Sequence, residues 1–151
     1  MRIVDGKRYI EQVKLRLAEY TATLGRYLDF QGIEDELSDP AKKYMPPAGK
    51  LLVAYEDGVV WGMLAYHRHS DERCEMKRLY VDPTCRGRHL GEKLVGEIIE
   101  QAKRAGYREM VLDTLQPMKA AIGIYKKFGF EACEPYYNNP MDDVIYMKKS
   151  L

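Results

Sequence analysis

Apolar residues recur every three or four positions along the first part of the chain, between Lys7 and Gly25. The members of this stripe are Ile10, Val13, Leu17, Tyr20 and Leu24. Because an α-helix has 3.6 residues per turn, this spacing predicts an amphipathic helix that ends at Gly25. From Arg26 to Gly49 the pattern breaks up around acidic residues and prolines, which predicts one short helix inside a long connection.

Two β-rich stretches follow this connection. They run from Leu51 to Tyr55 and from Val59 to His67, and the Asp57-Gly58 pair between them is a strong hairpin signal. We therefore expect two antiparallel strands joined by a tight turn.

A strand, a helix and a second strand occupy the next part of the chain. The first strand, Met76 to Val81, leads through a Gly-containing turn into a long helix that closes at Gly106. A contiguous apolar strand, Glu109 to Thr114, comes next. A crossover helix joins parallel strands, so these two strands should be parallel. The remaining pattern predicts a helix from Met118 to Phe128 and strands near residues 130–134 and 144–148.

The composition is that of a globular chain without a strong overall charge. Of 151 residues, 46% are hydrophobic, which is enough to bury a core within one domain spanning residues 1–151. Lys plus Arg number 24 and Asp plus Glu 23, so the net charge of +1 argues against nucleic acid or an anionic membrane as partner. Any bound anion must then be held by a local arrangement.

The cysteines and the N-terminal residues bear on the compartment. Cys74, Cys85 and Cys133 are odd in number and include no C-x-x-C pair, which argues against a disulfide framework and against a zinc site. The N-terminal residues are charged with no apolar run behind them, and no stretch of about 18 apolar residues occurs. We therefore expect a cytoplasmic protein without a membrane-spanning segment.

The turn before the long helix is the strongest candidate for anion binding. It reads Cys85-Arg86-Gly87-Arg88-His89-Leu90-Gly91. A helix N-terminus presents unpaired N–H groups and a partial positive charge, and glycines allow a phosphate to approach the backbone. Arg86 and Arg88 would add side-chain charge, although an ordinary Gly-containing turn with solvated arginines has the same pattern.

Two familiar phosphate-binding loops do not match this turn. A P-loop needs Lys and then Ser or Thr after its last glycine, whereas Glu92 follows Gly91. The G-x-G-x-x-G fingerprint of dinucleotide-binding folds is absent, although Asp113 stands where such folds bind the ribose. Because one βαβ unit preceded by a hairpin is not a doubly wound sheet, a nicotinamide-type dinucleotide binder is the weaker alternative.

Three strings of residues stand in one reading frame. They are Glu75-Met76-Lys77-Arg78-Leu79-Tyr80-Val81-Asp82-Pro83, Arg86-Gly87-x-x-Leu90-Gly91 and Ala121-x-x-x-Tyr125-x-x-x-Gly129-Phe130. In these strings the chain resembles the GNAT superfamily of acyl-CoA-dependent N-acetyltransferases, whose [QR]-x-x-G-x-[GA] signature falls on Arg86 to Gly91. The resemblance implies an α+β fold with a mixed, mostly antiparallel V-shaped sheet, one parallel βαβ crossover and flanking helices.

The same resemblance implies acetyl-CoA as co-substrate and no metal. The diphosphate would rest on the N–H groups from Gly87 to Glu92, and the pantetheine arm would pair with the backbone of Leu79 to Val81. The cofactor-binding residues that it implies are Leu79, Tyr80, Val81, Arg86, Gly87, Arg88, His89, Leu90, Gly91, Glu92, Thr114, Met118, Ala121 and Tyr125. Two positions depart from the family pattern, since His89 replaces a glycine and Met118 replaces an asparagine that contacts the cofactor.

The resemblance also implies two catalytic residues. Glu75 is expected to take the proton of the attacking amine, directly or through water, because an amine with a pKa near ~10.4 is mostly protonated at neutral pH. A partly buried carboxylate with a raised pKa would suit this role. Tyr125 is expected to protonate the leaving thiolate, and a backbone N–H near Tyr80 to stabilise the developing oxyanion. A solvated strand-end charge and a core tyrosine are the plain structural alternatives for Glu75 and Tyr125.

The route of transfer has an alternative. Cys85 near a helix N-terminus, with His89 four residues on, could form a covalent acyl-enzyme, but we expect direct transfer within a ternary complex. Elsewhere, His67 and His69 are expected to be polar strand-end residues, and Trp61 a core residue.

The acceptor pocket is expected between residues 27–36 and 135–143. Its polar and aromatic candidates are Tyr136, Tyr137, Asn138, Asn139, Asp142 and Asp143. Acidic and aromatic side chains suit the cationic amine of a small molecule or amino acid, and a protein N-terminus or lysine is the alternative. A regulatory module that binds acyl-CoA without turnover is a third class. The expected partners are therefore acetyl-CoA and a small amine, without nucleic acid or membrane, and a homodimer stays open.

Overall fold

The computed structural model describes residues 1–24 and 33–151. Its strands are β1 (Arg2–Asp5), β2 (Lys50–Glu56), β3 (Val59–Arg68), β4 (Arg73–Val81), β5 (Glu109–Leu115), β6 (Glu131–Ala132) and β7 (Val144–Ser150). Its α-helices are α1 (Ile10–Leu24), α2 (Ile33–Ser38), α3 (Pro40–Tyr44), α4 (Leu90–Arg104) and α5 (Lys119–Lys127). Short 3₁₀ turns precede α1 and α4, at Gly6–Tyr9 and Pro83–Cys85. None of the described helices is long and apolar enough to span a membrane.

The strands form one mixed sheet in the order β1-β2-β3-β4-β5-β7-β6. Neighbouring strands are antiparallel except β4 and β5, which are parallel and joined through α4. The predicted α+β fold, with one parallel crossover in a mostly antiparallel sheet, is confirmed. The hairpin between β2 and β3 is also confirmed, and Asp57 and Gly58 both adopt positive φ, as the favoured two-residue turn requires.

Three local features differ from the predictions. Strand β1 was not expected, since its four residues are too short to show an alternating pattern. The first helix begins at Ile10 rather than Lys7, because the Asp5 carboxylate accepts a hydrogen bond from the Lys7 amide at 2.8 Å and caps a 3₁₀ turn. The described part of the acidic connection, residues 33–49, contains two helices instead of one, since Pro40 begins a new helix. The predicted stop at Gly25 lies outside the described residues.

Helices cover both faces of the sheet. On one face, α4 and α5 pack on a core that includes Met76 and Leu112. On the other face, α1 packs on a second core that includes Met63 and Ala65. Side chains alternate between faces along a strand, so Glu75 and Lys77 of β4 lie on the α1 face. Polar residues of the central strands are thereby collected on one side of the sheet.

Candidate active site

Strand β4 is bent by a β-bulge in its second half. The register with β3 shifts so that Leu64 alone lies opposite both Arg78 and Leu79. Arg78 has a φ of 68°, in the left-handed region that non-glycine residues seldom occupy. Such bulges increase the local twist and re-aim the strand.

Beyond the bulge, β4 separates from β5. The two strands pair only where Arg73–Glu75 lie beside Glu109–Val111. Within the described residues, the backbone of Leu79–Val81 therefore has no strand partner on the β5 side. An extended ligand can pair with such an edge as an additional strand.

A buried ion pair holds the bulge in place. The Arg78 guanidinium donates to both oxygens of the Glu36 carboxylate, at 2.7 and 3.2 Å, and Lys43 lies 3.3 Å from the same carboxylate. These charges hold the pKa of Glu36 below its usual value although burial opposes the shift. Because a strained residue persists only when its surroundings over-determine it, α2 fixes the shape of β4 through this pair.

An open cavity lies where β4 and β5 diverge. Its empty volume is about 590 Å³, which includes the open solvent at its mouth. The lining residues come from α1, β4, β5, α5 and the segment before β7: Tyr20, Leu24, Met76, Lys77, Arg78, Leu79, Asp113, Thr114, Leu115, Met118, Tyr125, Asn139 and Met141. The structure thus brings Leu79, Thr114, Met118 and Tyr125 together in one place.

Tyr125 is a buried hydroxyl that faces this cavity. The residue is 7% exposed and its ring packs edge-on against Phe130. Burial, together with the electrostatic influence of Tyr20 and Asp113, raises the pKa of Tyr125. A hydroxyl with a raised pKa keeps its proton at neutral pH, so Tyr125 can act as a hydrogen-bond donor in the cavity.

Asp113 supplies a carboxylate to the same cavity. Its Oδ2 accepts hydrogen bonds from the Tyr137 hydroxyl and, at 3.2 Å, from the Asn139 amide. Among the described residues it forms no ion pair with a Lys, Arg or His side chain. The expected loop 135–143 therefore does reach the site, through Tyr137, Asn139 and Met141.

Glu75 lies next to the cavity but does not line it. The residue is 6% exposed, and its carboxylate accepts hydrogen bonds from His67 Nε2, at 2.7 Å, and from the Tyr136 hydroxyl. Burial alone would raise the pKa of Glu75, but these bonds and the charge of Lys77 lower it to about 2. The raised pKa expected for Glu75 is therefore wrong, because the sequence did not show that three partners surround it.

The turn that precedes α4 has an open backbone. Gly87 has a φ of +83°, and a Cβ built on it would meet no atom within 4 Å. His89 also has a positive φ, 57°, and makes no side-chain capping hydrogen bond to α4. This backbone conformation explains why the family pattern has glycine there. The first-turn N–H groups lack intrahelical acceptors and are available to an anion.

Side chains around this turn divide into exposed and packed ones. Arg86, Arg88 and His89 are exposed, whereas Leu90 is buried. Glu92 in the first turn of α4 accepts a hydrogen bond from Lys127 at 2.9 Å. A Cβ at Gly91 would lie 2.9 Å from the Ile124 side chain, so this glycine lets α4 and α5 approach closely.

Several predicted residues lie away from the cavity. Asn138 and Asp142 are exposed, Ala121 packs on the core of the α4 face, and Tyr80 and Val81 pair with β3. Glu36 is engaged by Arg78, and residues 27–32 of the predicted acceptor segment lie outside the described residues.

The other polar and aromatic candidates have structural contacts. Trp61 is half-buried with the Arg16 guanidinium over its ring, and His69 packs edge-on against Tyr136. Cys85 is buried in a small apolar cluster with Ala54 and Leu90.

Sequence reasoning overlooked three residues of the site. His67 was interpreted as a strand-end residue, Lys77 had no role, and Asp113 was considered only as a ribose ligand. A signal did exist for Glu75 and Lys77, because polar residues at alternate positions of a central strand share one face. That Glu75 lies opposite His67 on β3 could be known only from the register between β3 and β4.

The described residues fit coenzyme A and offer no metal site. The open turn at Gly87, the α4 N-terminus and the unpaired edge of Leu79–Val81 match a diphosphate followed by an extended arm. In the described part of the chain, no three His, Cys, Asp or Glu side chains are grouped to hold a metal ion.

Comparison with known proteins gives consistent matches. The model of the acetyltransferase (GNAT) family matches residues 14–130. An uncharacterized N-acetyltransferase of Schizosaccharomyces pombe is 45% identical over 144 residues, covering 94% of this chain and 88% of that protein. A GNAT acetyltransferase structure from Staphylococcus aureus has a TM-score of 0.82 at 18% identity, covering 99% of this chain and 98% of the other. A putative acetyltransferase from Salmonella typhimurium, solved with acetyl-CoA, has a TM-score of 0.73 at 22% identity, covering 99% and 93%.

The family model spans most of the chain, and the acetyl-CoA-bound relative shares the fold whose split sheet and open turn fit coenzyme A. The chain therefore belongs to the GNAT family of acetyltransferases.

Proposed function

We propose that this acetyltransferase acetylates the primary amine of a small molecule or amino acid, by direct attack within a ternary complex. The observation that carries the proposal is the carboxylate of Asp113 in a cavity that also contains Leu79 and Tyr125. An ammonium group would compensate the charge of Asp113 and lie close to the acyl donor.

Acetyl-CoA supplies an activated thioester when bound, and the chain orients it. The N–H groups from Gly87 to Glu92 hold the diphosphate, and the edge of Leu79–Val81 pairs with the pantetheine arm. A backbone N–H near Tyr80 stabilises negative charge on the carbonyl oxygen. Tyr125 gives its proton to the departing thiolate as negative charge develops on the sulfur, although burial raises the pKa of Tyr125 and makes it a weaker acid than an exposed tyrosine.

The proton of the amine leaves toward Glu75 through water. Glu75 does not line the cavity, so its carboxylate would not contact the amine directly. With a pKa of about 2, it accepts a proton only transiently and passes it to solvent. Its effect on the rate should therefore be at the low end for a general base.

Direct transfer is favoured over a relay through Cys85. The thiol is 5% exposed within an apolar cluster, and the His89 side chain that would serve as its base is 71% exposed. We also propose the cytoplasm as the compartment, because reducing conditions suit three cysteines that are all free.

The test is an amine panel assayed by release of the thiol of coenzyme A. We expect turnover with small amines, and Tyr125→Phe should lower kcat by about 10²-fold or more while the affinity for coenzyme A changes little. Tyr66→Phe is the matched control, since Tyr66 is a buried tyrosine that does not line the cavity. Turnover only with peptides or protein lysines would show that the acceptor is a protein N-terminus or lysine instead. Binding of acetyl-CoA without any transfer would indicate a regulatory module.

A further inference from the structure

Lys77 is a buried lysine at the cavity. The residue is 8% exposed and lines the cavity beside Asp113. Its nearest carboxylate oxygen, Glu75 Oε1, lies 3.8 Å from Nζ, beyond hydrogen-bond distance. Within residues 1–24 and 33–151, Nζ donates no hydrogen bond. A buried charge is costly unless it is paired and hydrogen-bonded. Among the described residues, the ammonium of Lys77 has the ion pair with Glu75 but no hydrogen-bond acceptor.

The neighbouring charges are already engaged. Glu75 accepts from His67 and Tyr136, and Arg78 donates to Glu36. Burial lowers the pKa of Lys77, and the charges of Glu75 and Asp113 only partly oppose that shift. An anionic group beside Nζ would keep the ammonium charged and supply its missing hydrogen bonds.

The carboxylate of Asp113 has hydrogen bonds but lacks an ion pair within the described residues. It accepts from Tyr137 and Asn139, but no described cationic side chain forms an ion pair with it. In the described part of the chain, the cavity thus presents an ammonium with one long ion pair and no hydrogen bond, and a carboxylate with no ion pair. A ligand that carries both charges would complement the pair.

We propose that the acceptor is an amine that also bears a carboxylate, which is an amino acid in the broad sense. Its carboxylate binds Lys77 and its ammonium binds Asp113. The ammonium passes a proton through water toward Glu75, and the free amine then attacks the thioester carbonyl. The C–N bond forms as the C–S bond breaks, and coenzyme A leaves as its thiol with the proton of Tyr125. This inference rests on the proposed function, because it narrows the acceptor within the class of small amines.

The experiment compares acceptors in matched pairs. Each α-, β- or γ-amino acid is assayed beside its own carboxamide, which has nearly the same size but no negative charge. We expect kcat/KM to be at least about 10-fold higher for the amino acid in the best pairs, since one charge-assisted contact contributes on that scale. Lys77→Met should bring the ratio close to one.

Lys103→Met is the control variant. Lys103 is an exposed lysine of α4 that pairs with Glu100, so its loss should leave the ratio as in the wild type. Stabilisation of each variant by coenzyme A against heat verifies the fold independently of the acceptor. If Lys77→Met does not fold, the ratio of kcat/KM for amino acid and carboxamide in the wild-type enzyme decides whether a carboxylate is recognised.

Three outcomes would overturn the inference. Equal kcat/KM for acid and amide would show that no carboxylate is recognised, while the proposed function would still stand. A ratio that persists in a folded Lys77→Met enzyme would place the anion contact elsewhere. Acetylation of Lys77 itself in the absence of added amine would make it an acceptor rather than a binding group. Failure of every amine to release coenzyme A would instead contradict the proposed function.

Discussion

Glu75 illustrates how three neighbours can outweigh the burial of a carboxyl group. Desolvation disfavours the charged form, yet hydrogen bonds from His67 and Tyr136 and the nearby Lys77 favour it. Since these donors are aimed at the ionised oxygens, a proton on Glu75 would break at least one of them. The carboxylate of Glu75 therefore holds His67 and Tyr136 through hydrogen bonds on this face of the sheet, and it is also a candidate proton acceptor.

Replacement of Glu75 should change how stability depends on pH. A carboxyl group whose pKa falls from 4.5 to about 2 on folding stabilises the native state above pH 4.5, and this contribution is lost as the pH falls toward about 2. We therefore expect Glu75→Gln to be less stable than the wild type at neutral pH, with the difference narrowing between pH 4.5 and 2. Urea unfolding across this range measures it.

Glu100→Gln is the control for this comparison, because Glu100 is an exposed side chain of α4. A constant difference between Glu75→Gln and the wild type across the same pH range would mean that the carboxyl group is not held ionised. In activity assays, Glu75→Gln should lower turnover by about 10²-fold, the low end for a general base, and recover part of it as the pH rises and free amine accumulates.

The positions of single residues were predictable only where a local motif carried them. Gly87 and Tyr125 stand in short patterns whose spacing is visible in the chain, and they lie in the turn before α4 and in α5. Their roles stay predictions. The partners of Glu75 are different, since Tyr136 is 61 positions away in the sequence. Contacts between distant residues leave no periodic signal, so the direction of the pKa shift could not be predicted.

At the scale of elements, the turn into α4 combines two left-handed residues with one close helix contact. Gly87 and His89 both have positive φ, while Gly91 faces Ile124 of α5. The position of this helix N-terminus was predicted from the glycines and arginines. The contact between Gly91 and α5 was not, because it depends on the packing of two helices.

Two substitutions at Gly87 test whether its left-handed backbone conformation matters for binding coenzyme A. Because no atom lies near a Cβ at this position, a side chain is disfavoured by the φ of +83° rather than by a clash within the chain. Gly87→Val should cost about 1–2 kcal/mol of strain or shift the turn, and should abolish most of the thermal stabilisation by coenzyme A. Asparagine tolerates positive φ, so Gly87→Asn should keep more of that stabilisation. Equal thermal shifts for the wild type and both variants would remove this turn from the cofactor site.

At the scale of the whole molecule, the order of the helices and strands could be predicted from the sequence, whereas the shape of the sheet could not. Periodicity predicted the hairpin, the crossover helix and its parallel strand, and these elements account for the central strands. Strand β1 was missed because Arg2–Asp5 shows no alternation. The bulge at Arg78 was also missed, since the side chain that supports it, Glu36, comes from a separate helix.

The divergence of β4 and β5 has a consequence for solubility. A strand edge with unpaired N–H and C=O groups is a template on which another chain can pair. Among the described residues, Leu79–Val81 forms such an edge on its β5 side, in the interior of the sheet order rather than at its margin. Coenzyme A, bound along it, would act as a cover that blocks pairing between molecules. We therefore expect the ligand-free protein to aggregate faster on mild heating than the same protein saturated with coenzyme A. Light scattering would measure the aggregation. 3′-Dephospho-coenzyme A keeps the pantetheine arm and should protect the protein from aggregation. Adenosine 3′,5′-bisphosphate lacks that arm and should protect it less.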